Sequence, residues 1–327
     1  MINVIIPAAG VGTRLRPHTH TAPKALLPVA GQPILGHILD RVVGLPGLGR
    51  VRIVVGFLGE QIEAYVRGHY DLNVEFVQQA ELRGLGYAVH LALETLHGDD
   101  PLLVILGDTI LDIDLAGFLA GDDNALGVQE VDDPRRFGVA ELAGGYVKRL
   151  VEKPADPPSN WAVVGLYGIH STALLRTCLR EVVRRGESGS GEIQMTDALQ
   201  LMVERGARLR AQPVEGWYDC GKPETLLATN KHLLAKRPTR HAIAGSVIVP
   251  PAYVAPTAQV ERSVIGPYVS IGERARITES VIKNAIIADD AQVSGCVLED
   301  SIVGAHAVVV GFARHLNVGE SSEVGLP

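Results

Sequence analysis

The chain has 327 residues, 46% hydrophobic and 20% charged, which allows two folded domains with ordinary cores and excludes a disordered chain. A formal net charge of −7 excludes a general nucleic-acid binder, which needs a basic face, so a phosphate ligand must be held by a few local cations. Cys178, Cys220 and Cys296 form no Cys-x-x-Cys pair and no run approaches the roughly 20 apolar residues of a membrane span, so a cytoplasmic protein without membrane attachment is expected.

In chain order, residues 2–6 read as a buried strand. They open into Gly10-Val11-Gly12-Thr13-Arg14-Leu15-Arg16-Pro17, with Lys24 ten residues beyond Arg14. Glycines let backbone N–H groups approach a ligand, and fixed cations beside them suit a polyphosphate. Helical spacing follows at 34–43, a strand at 51–55, a helix at 59–67, a strand at 74–77, a helix at 86–96 and a continuous apolar strand at 102–106. This alternation predicts a mostly parallel sheet with helices on both faces, binding ligands beyond the carboxyl ends of its strands. Residues 137–142 and 146–151 predict an antiparallel pair turned at Gly144-Gly145. A strand at 162–169 and helices at 172–185, 192–204 and 224–235 complete a first domain over 1–238.

From 239 to 327 the pattern changes. Aliphatic residues fall at sixes: Val254 and Val260; Ile265, Ile271 and Ile277; Ile287 and Val293; Val303 and Val309. That period is the hexapeptide repeat of a parallel β-helix, of about four coils here. Its register slips at 260 to 265 and 277 to 287, which predicts turns of unequal length.

Two common phosphate loops are absent. No G-x-x-x-x-G-K-[ST] exists, and Leu15 stands where a dinucleotide fingerprint needs its third glycine. Gly10-x-Gly12-Thr13-Arg14-Leu15-x-Pro17-x-Thr19-x-x-x-Pro23-Lys24 resembles the loop of the sugar-1-phosphate nucleotidylyltransferases. The resemblance covers nearly the whole chain. Among long-form members with a C-terminal left-handed β-helix, the glucose-1-phosphate thymidylyltransferases are the nearest subgroup.

The resemblance implies an α/β, Rossmann-like catalytic domain followed by a left-handed β-helix, joining a nucleoside triphosphate to a sugar 1-phosphate with release of pyrophosphate. It implies nucleotide contacts from Ala9, Gly10, Gly12, Thr13 and Arg14, with Arg14 and Lys24 as the catalytic cations. Gln79, in Gln79-Ala80-Glu81-Leu82-Arg83-Gly84, matches the base-reading segment; its amide both donates and accepts, as the edge of uracil or thymine requires, and Gly84 lets the base lie close. Gln78 is the neighbouring alternative. Asp108 follows an apolar strand, and Asp219 lies in Gly216-Trp217-Tyr218-Asp219-Cys220-Gly221; the family pattern makes both Mg²⁺ ligands. Without the family, a lone Asp after a strand reads equally well as a helix cap. Gly138, Glu152, Lys153 and Gly165 match the segments that hold the sugar phosphate, and Glu192 a residue that orders that pocket.

Two departures bear on substrate. Ala25 stands where long-form thymidylyltransferases usually have Gln, and Val164 where Thr is frequent. The residues 84–86 also resemble uridylyltransferases, so dTTP with glucose 1-phosphate is the first expectation and UTP the second. A sugar phosphate is largely dianionic at neutral pH, since its second pKa is about 6. In-line attack on the α-phosphorus therefore needs no general base and no covalent enzyme intermediate. Competing readings are a non-catalytic sugar-nucleotide sensor, and an added acyl transfer on the β-helix with His306 and His315 as bases. A role of the β-helix in homo-oligomer assembly is the simpler expectation.

Overall fold

The computed structural model describes residues 1–96, 98–186, 191–236, 242–311 and 316–325. The expected domain boundary at 238 and 239 lies outside the described residues, as does His315. The chain forms two compact units, Met1–Gly10 with Ile38–Trp217, and Val11–His37 with Tyr218–Pro327.

The first unit is built on a nine-stranded sheet ordered Val74–Gln78, Leu48–Val55, Ile2–Pro7, Leu102–Ile105, Trp161–Ile169, Asn124–Glu130, Leu209–Pro213, Tyr146–Glu152 and Gly138–Ala143. The first four strands are mutually parallel. Trp161–Ile169 and Tyr146–Glu152 alone run against the common direction, so the sheet is mixed and mostly parallel. Ile5, Val54 and Val104 point into a core closed by Ala88 and Val89, by Leu175 and Cys178, and by Met195 and Ala198 of three helices. Each fully buried aliphatic side chain contributes roughly 1.5–3 kcal/mol through removal from water.

Helices Ile34–Val43 and Thr172–Arg185 form over the predicted residues. The hairpin turns at Gly144 and Gly145 as expected, with φ of 58° and 82° that favour glycine. One helix is shorter than its pattern: it starts at Met195 and not at 192. Residues 192–194 are drawn off by other partners, because Ile193 N donates to Arg83 O at 2.8 Å and Gly86 N donates to Ile193 O at 2.9 Å. Asn124–Glu130 was not anticipated, since its buried first five residues show no alternation.

In the second unit the β-helix is a stack of parallel strands. Val254, Ile271, Ile287, Val303 and Val318 are successive partners, in steps of 17, 16, 16 and 15 residues. The steps fall short of three hexapeptides because one face advances by five in the 17-residue coil and two faces do so in each 16-residue coil. Ile282 and Leu298, both buried, occupy those positions. All nine aliphatics predicted to point inward are buried. The coil corners use left-handed residues repeating in register, such as Arg274, Asp290 and His306, with φ of 56° to 59°. The helix Pro223–Ala235 packs on three of the coil strands. Among the described residues, no helix is long and apolar enough to cross a membrane.

Candidate active site

In the second unit, Gly12 sets the shape of the signature loop. It has φ +68°, and a Cβ there would stand 3.0 Å from Lys24 Cβ and 3.1 Å from Thr19 Cγ2. Its carbonyl accepts from Leu15 N and from Thr19 Oγ1, both at 2.9 Å. The backbone is thus folded onto the stem of Lys24, which is buried, while Thr13 and Arg14 are exposed on a short 3-10 turn, Thr13–Leu15. Ala25 is buried within the next turn, Lys24–Leu26, and offers no polar side-chain atom.

Asp219 ends the strand Gly216–Asp219 and also falls in the second unit. A Cβ on Gly221 would lie 2.8 Å from Asp219 Oδ1 and 3.0 Å from Oδ2, so the missing side chain leaves room beside the carboxylate. Tyr218 stacks on His232 with ring centroids 4.0 Å apart, fixing the backbone that carries Asp219.

In the first unit, Ala8 and Ala9 are buried and Gly10 is exposed with open space around its Cα. Gly56 and Gly107 are the close neighbours here. A Cβ on Gly56 would meet Ala9 O at 2.9 Å, and one on Gly107 would meet Pro7 O at 2.8 Å. Gly107 N donates to Pro7 O at 3.0 Å, which brings Asp108 beside the start of the signature loop. Asp108 Oδ1 accepts from Thr109 Oγ1 at 3.3 Å.

Gln79 is buried, its N–H donates to Val55 O at 2.8 Å, and its Nε2 donates to Gly84 O at 3.4 Å. Gly84 has φ +96°, and a Cβ would meet Ile193 O at 2.7 Å, so this position admits glycine alone without rearrangement. Gln78 is exposed at the end of its strand, apart from that bond.

Three of the four expected sugar-phosphate residues come together. A Cβ on Gly138 would meet Glu152 Oε2 at 3.1 Å and Thr196 Cγ2 at 2.7 Å. Thr196 Oγ1 donates to Glu152 Oε2 at 3.0 Å, while Lys153 Nζ lies 3.3 Å from Glu152 Oε1. Lys153 takes φ +41°, and its N–H donates to Phe137 O at 3.0 Å, turning its half-exposed side chain outward. Burial, together with the charge of Glu152, holds the Tyr167 hydroxyl well above its usual pKa range, so it stays protonated. Thr196 was legible only as part of the helical pattern at 192–204; its bond to Glu152 spans 44 residues, and no local signal encodes it. Glu192 accepts from Gln194 Nε2 at 3.1 Å, just before the helix.

Gly165 lies between Val163, which a Cβ on Gly138 would approach at 3.5 Å, and Tyr167 on the strand Trp161–Ile169, and it rests against Leu106, just before Asp108. It has φ +83°, its carbonyl accepts from Leu106 N at 3.1 Å, and a Cβ would lie 2.3 Å from Leu106 Cδ1. Gly165→Ala is expected to cost about 2 kcal/mol, the strain of a left-handed non-glycine residue plus displacement of Leu106. A lowered urea midpoint would register it; an unchanged midpoint would mean that Leu106 moves freely.

No group of three or more metal-type side chains occurs among the described residues. Asp108 belongs to the first unit and Asp219 to the second, and each is a carboxylate of the kind Mg²⁺ takes when it completes its shell with water and substrate phosphates.

The nucleotidyl transferase family profile matches residues 3–236, and the profile of the GlmU-like C-terminal hexapeptide matches 231–321. The chain is 32% identical to a low-salt glycan biosynthesis nucleotidyltransferase, Agl11, of Haloferax volcanii, over 98% of this chain and 99% of that one. It is 30% identical to a glucose-1-phosphate thymidylyltransferase of Streptomyces griseus, over 98% of each. A crystal structure of UDP-glucose pyrophosphorylase complexed with UDP-glucose superposes with a TM-score of 0.64 at 29% identity, covering 72% of this chain and 100% of the other. The chain belongs to the nucleotidyl transferase family, as an enzyme of the sugar-1-phosphate nucleotidylyltransferase class that ends in a GlmU-like hexapeptide β-helix.

Proposed function

We propose that the enzyme transfers a thymidylyl group from dTTP to glucose 1-phosphate, releasing pyrophosphate. The observation that carries the base assignment is the buried Gln79 amide held beside Gly84, where close backbone approach is possible. A pyrimidine edge with a carbonyl and an N–H is complementary to that amide. A second reading, UTP with the same sugar phosphate, is favoured by Ala25, which supplies no side-chain polar atom where thymidylyltransferases usually have Gln. Pyrophosphate release over five nucleoside triphosphates against a panel of sugar 1-phosphates separates the two. A purine preference would overturn the Gln79 assignment. Gln79→Ala is expected to lower kcat/KM for the preferred triphosphate by about 10- to 100-fold and to narrow its lead over other bases, since a base left with unpaired polar atoms costs roughly 1–3 kcal/mol.

In the mechanism we assign, the sugar phosphate is already an anion and attacks the α-phosphorus in line. Catalysis is then positioning and charge neutralisation. Arg14 presents a planar fork of donors to phosphate oxygens and to the departing pyrophosphate, and Lys24 adds a point charge near the α-phosphate. Ala9, Gly10, Gly12 and Thr13 supply backbone approach. Glu152 accepts from sugar hydroxyls, Lys153 pairs with the sugar phosphate, and Gly138 contacts the sugar through its backbone. Gly165 acts in our reading through the strand beside Leu106. Asp108 and Asp219 would hold Mg²⁺, which supplies Lewis-acid neutralisation of phosphate charge when bound.

We further take residues 1–238 as the catalytic domain and 239–327 as the β-helix, in line with the two profile matches. We place the enzyme in the cytoplasm, where the buried thiols of Cys178, Cys220 and Cys296 stay reduced. We also take it to be a homo-oligomer: Val247, Val281 and Val297 are exposed in one column of the β-helix, with Val264 between the first two. An acyl transfer on the β-helix gains little from His306, which is exposed at a coil corner 4.0 Å from Asp290.

A further inference from the structure

The Val11–His37 segment carries Arg14 and Lys24, yet before the helix that starts at Ile34 it has little regular structure of its own: three 3-10 turns of three residues each and a hairpin of two-residue strands. Its supports lie in the same compact unit, on the β-helix and the helix that packs against it. Asn230, fully buried in Pro223–Ala235, accepts through Oδ1 from Ala30 N at 2.9 Å and from Ser270 Oγ at 2.9 Å. Its Nδ2 donates to Tyr268 O at 3.2 Å. One amide therefore joins the hairpin after Lys24 to the coil strand Val269–Ile271. Ala30 has φ +49°, a conformation that a non-glycine residue keeps only when its surroundings enforce it.

Two further contacts hold the other end. His18 Nε2 and Asn317 Oδ1 are hydrogen-bonded, and His18 is buried, which lowers its pKa and favours the neutral ring. Gly319 lies so close to the loop that a Cβ there would stand 2.9 Å from Pro17 Cβ. Gly31, φ +88°, rests on the Tyr253 ring, where a Cβ would be 2.5 Å from Cε1.

We propose that the β-helix is the footing of the signature loop, with Asn230, Asn317 and Gly319 as positioning residues that set where Arg14 and Lys24 meet phosphate. The inference rests on the assignment of those two cations to the triphosphate. Its physical basis is that a charge-neutralising group acts only when held to within a fraction of an ångström, and a loop of short turns cannot hold itself so. The β-helix is then part of the catalytic apparatus in addition to any part in assembly.

The test uses full-length Asn317→Ala, Gly319→Ala, Asn230→Ala and Asn317→Asp, with initial rates of pyrophosphate release while each substrate is varied in turn. Asn317→Ala and Gly319→Ala are expected to raise the nucleoside triphosphate KM or lower kcat by about tenfold, since small misplacements near the chemistry cost up to ~10²-fold. The sugar 1-phosphate KM, the far-ultraviolet spectrum and the mass in solution should not change. Asn317→Asp keeps an acceptor for His18 Nε2–H and should recover most of the loss. Asn230→Ala should show the same pattern more strongly; should it fail to fold, the other two variants decide. Unchanged kinetics in both Asn317→Ala and Gly319→Ala would overturn the proposal, as would losses that track secondary structure or mass. Arg14→Ala run alongside keeps the failures distinct: normal triphosphate kinetics in that variant would remove the Arg14 assignment itself.

Discussion

Asp219→Asn is expected to lower kcat by about 10²- to 10³-fold while leaving the thermal midpoint within a degree or so of wild type, because the loss falls on transition-state charge and not on packing. Asparagine keeps the shape of the side chain and one carbonyl oxygen, but it removes the negative charge that a hard cation requires. A loss of that size is about 3–4 kcal/mol of transition-state stabilisation. The local structure favours a ligand at this carboxylate: Gly221 leaves both Asp219 oxygens unobstructed on its side. The Mg²⁺ concentration for half-maximal activity should rise in the same variant, and Mn²⁺ binding read by magnetic resonance should weaken without any turnover. Asp108→Asn should behave alike, and the double variant should lose little more than either single one, since residues that act through one ion are strongly non-additive. Near-normal turnover in Asp219→Asn, or an unaltered Mg²⁺ requirement, would sink the metal assignment.

How much of this was readable in the sequence depends on whether the signal was local. The turn pattern of residues 10–24 was legible because glycine freedom and fixed cations are properties of the residues themselves, and Gly12, Thr19 and Lys24 make the loop's local contacts, whereas its footing on the β-helix carries no local signal. The inward aliphatics of the β-helix were legible for the same reason. Ile282 and Leu298 escaped because five-residue faces break the six-residue period. The start of helix Met195–Glu204 was misplaced because residues 192–194 are claimed by Arg83 and Gly86, a competition no helix signal records. Thr196 on Glu152, Asn230 on Ala30 and Asn317 on His18 join residues 44, 200 and 299 apart, and only tertiary packing makes them neighbours.

Arg14→Ala is expected to reduce kcat/KM by about 10³-fold or more, the scale of an arginine that neutralises charge in phosphoryl transfer. The side chain is exposed on its 3-10 turn, so its removal should leave the fold and thermal midpoint unchanged. Arg14→Lys separates charge from geometry. If charge alone matters, lysine restores most of the activity. If the planar fork grips two phosphate oxygens at once, lysine recovers only a minor part, since an ammonium makes a point contact. We expect the second outcome, because Lys24 already supplies a point charge on a stem packed against Gly12, and a second ammonium would duplicate it. Lys24→Ala should therefore weaken turnover through charge, whereas Arg14→Lys should weaken it through orientation and raise the triphosphate KM. Full activity in Arg14→Lys would mean that the loop works by charge density alone, and the distinct roles of its two cations would be withdrawn.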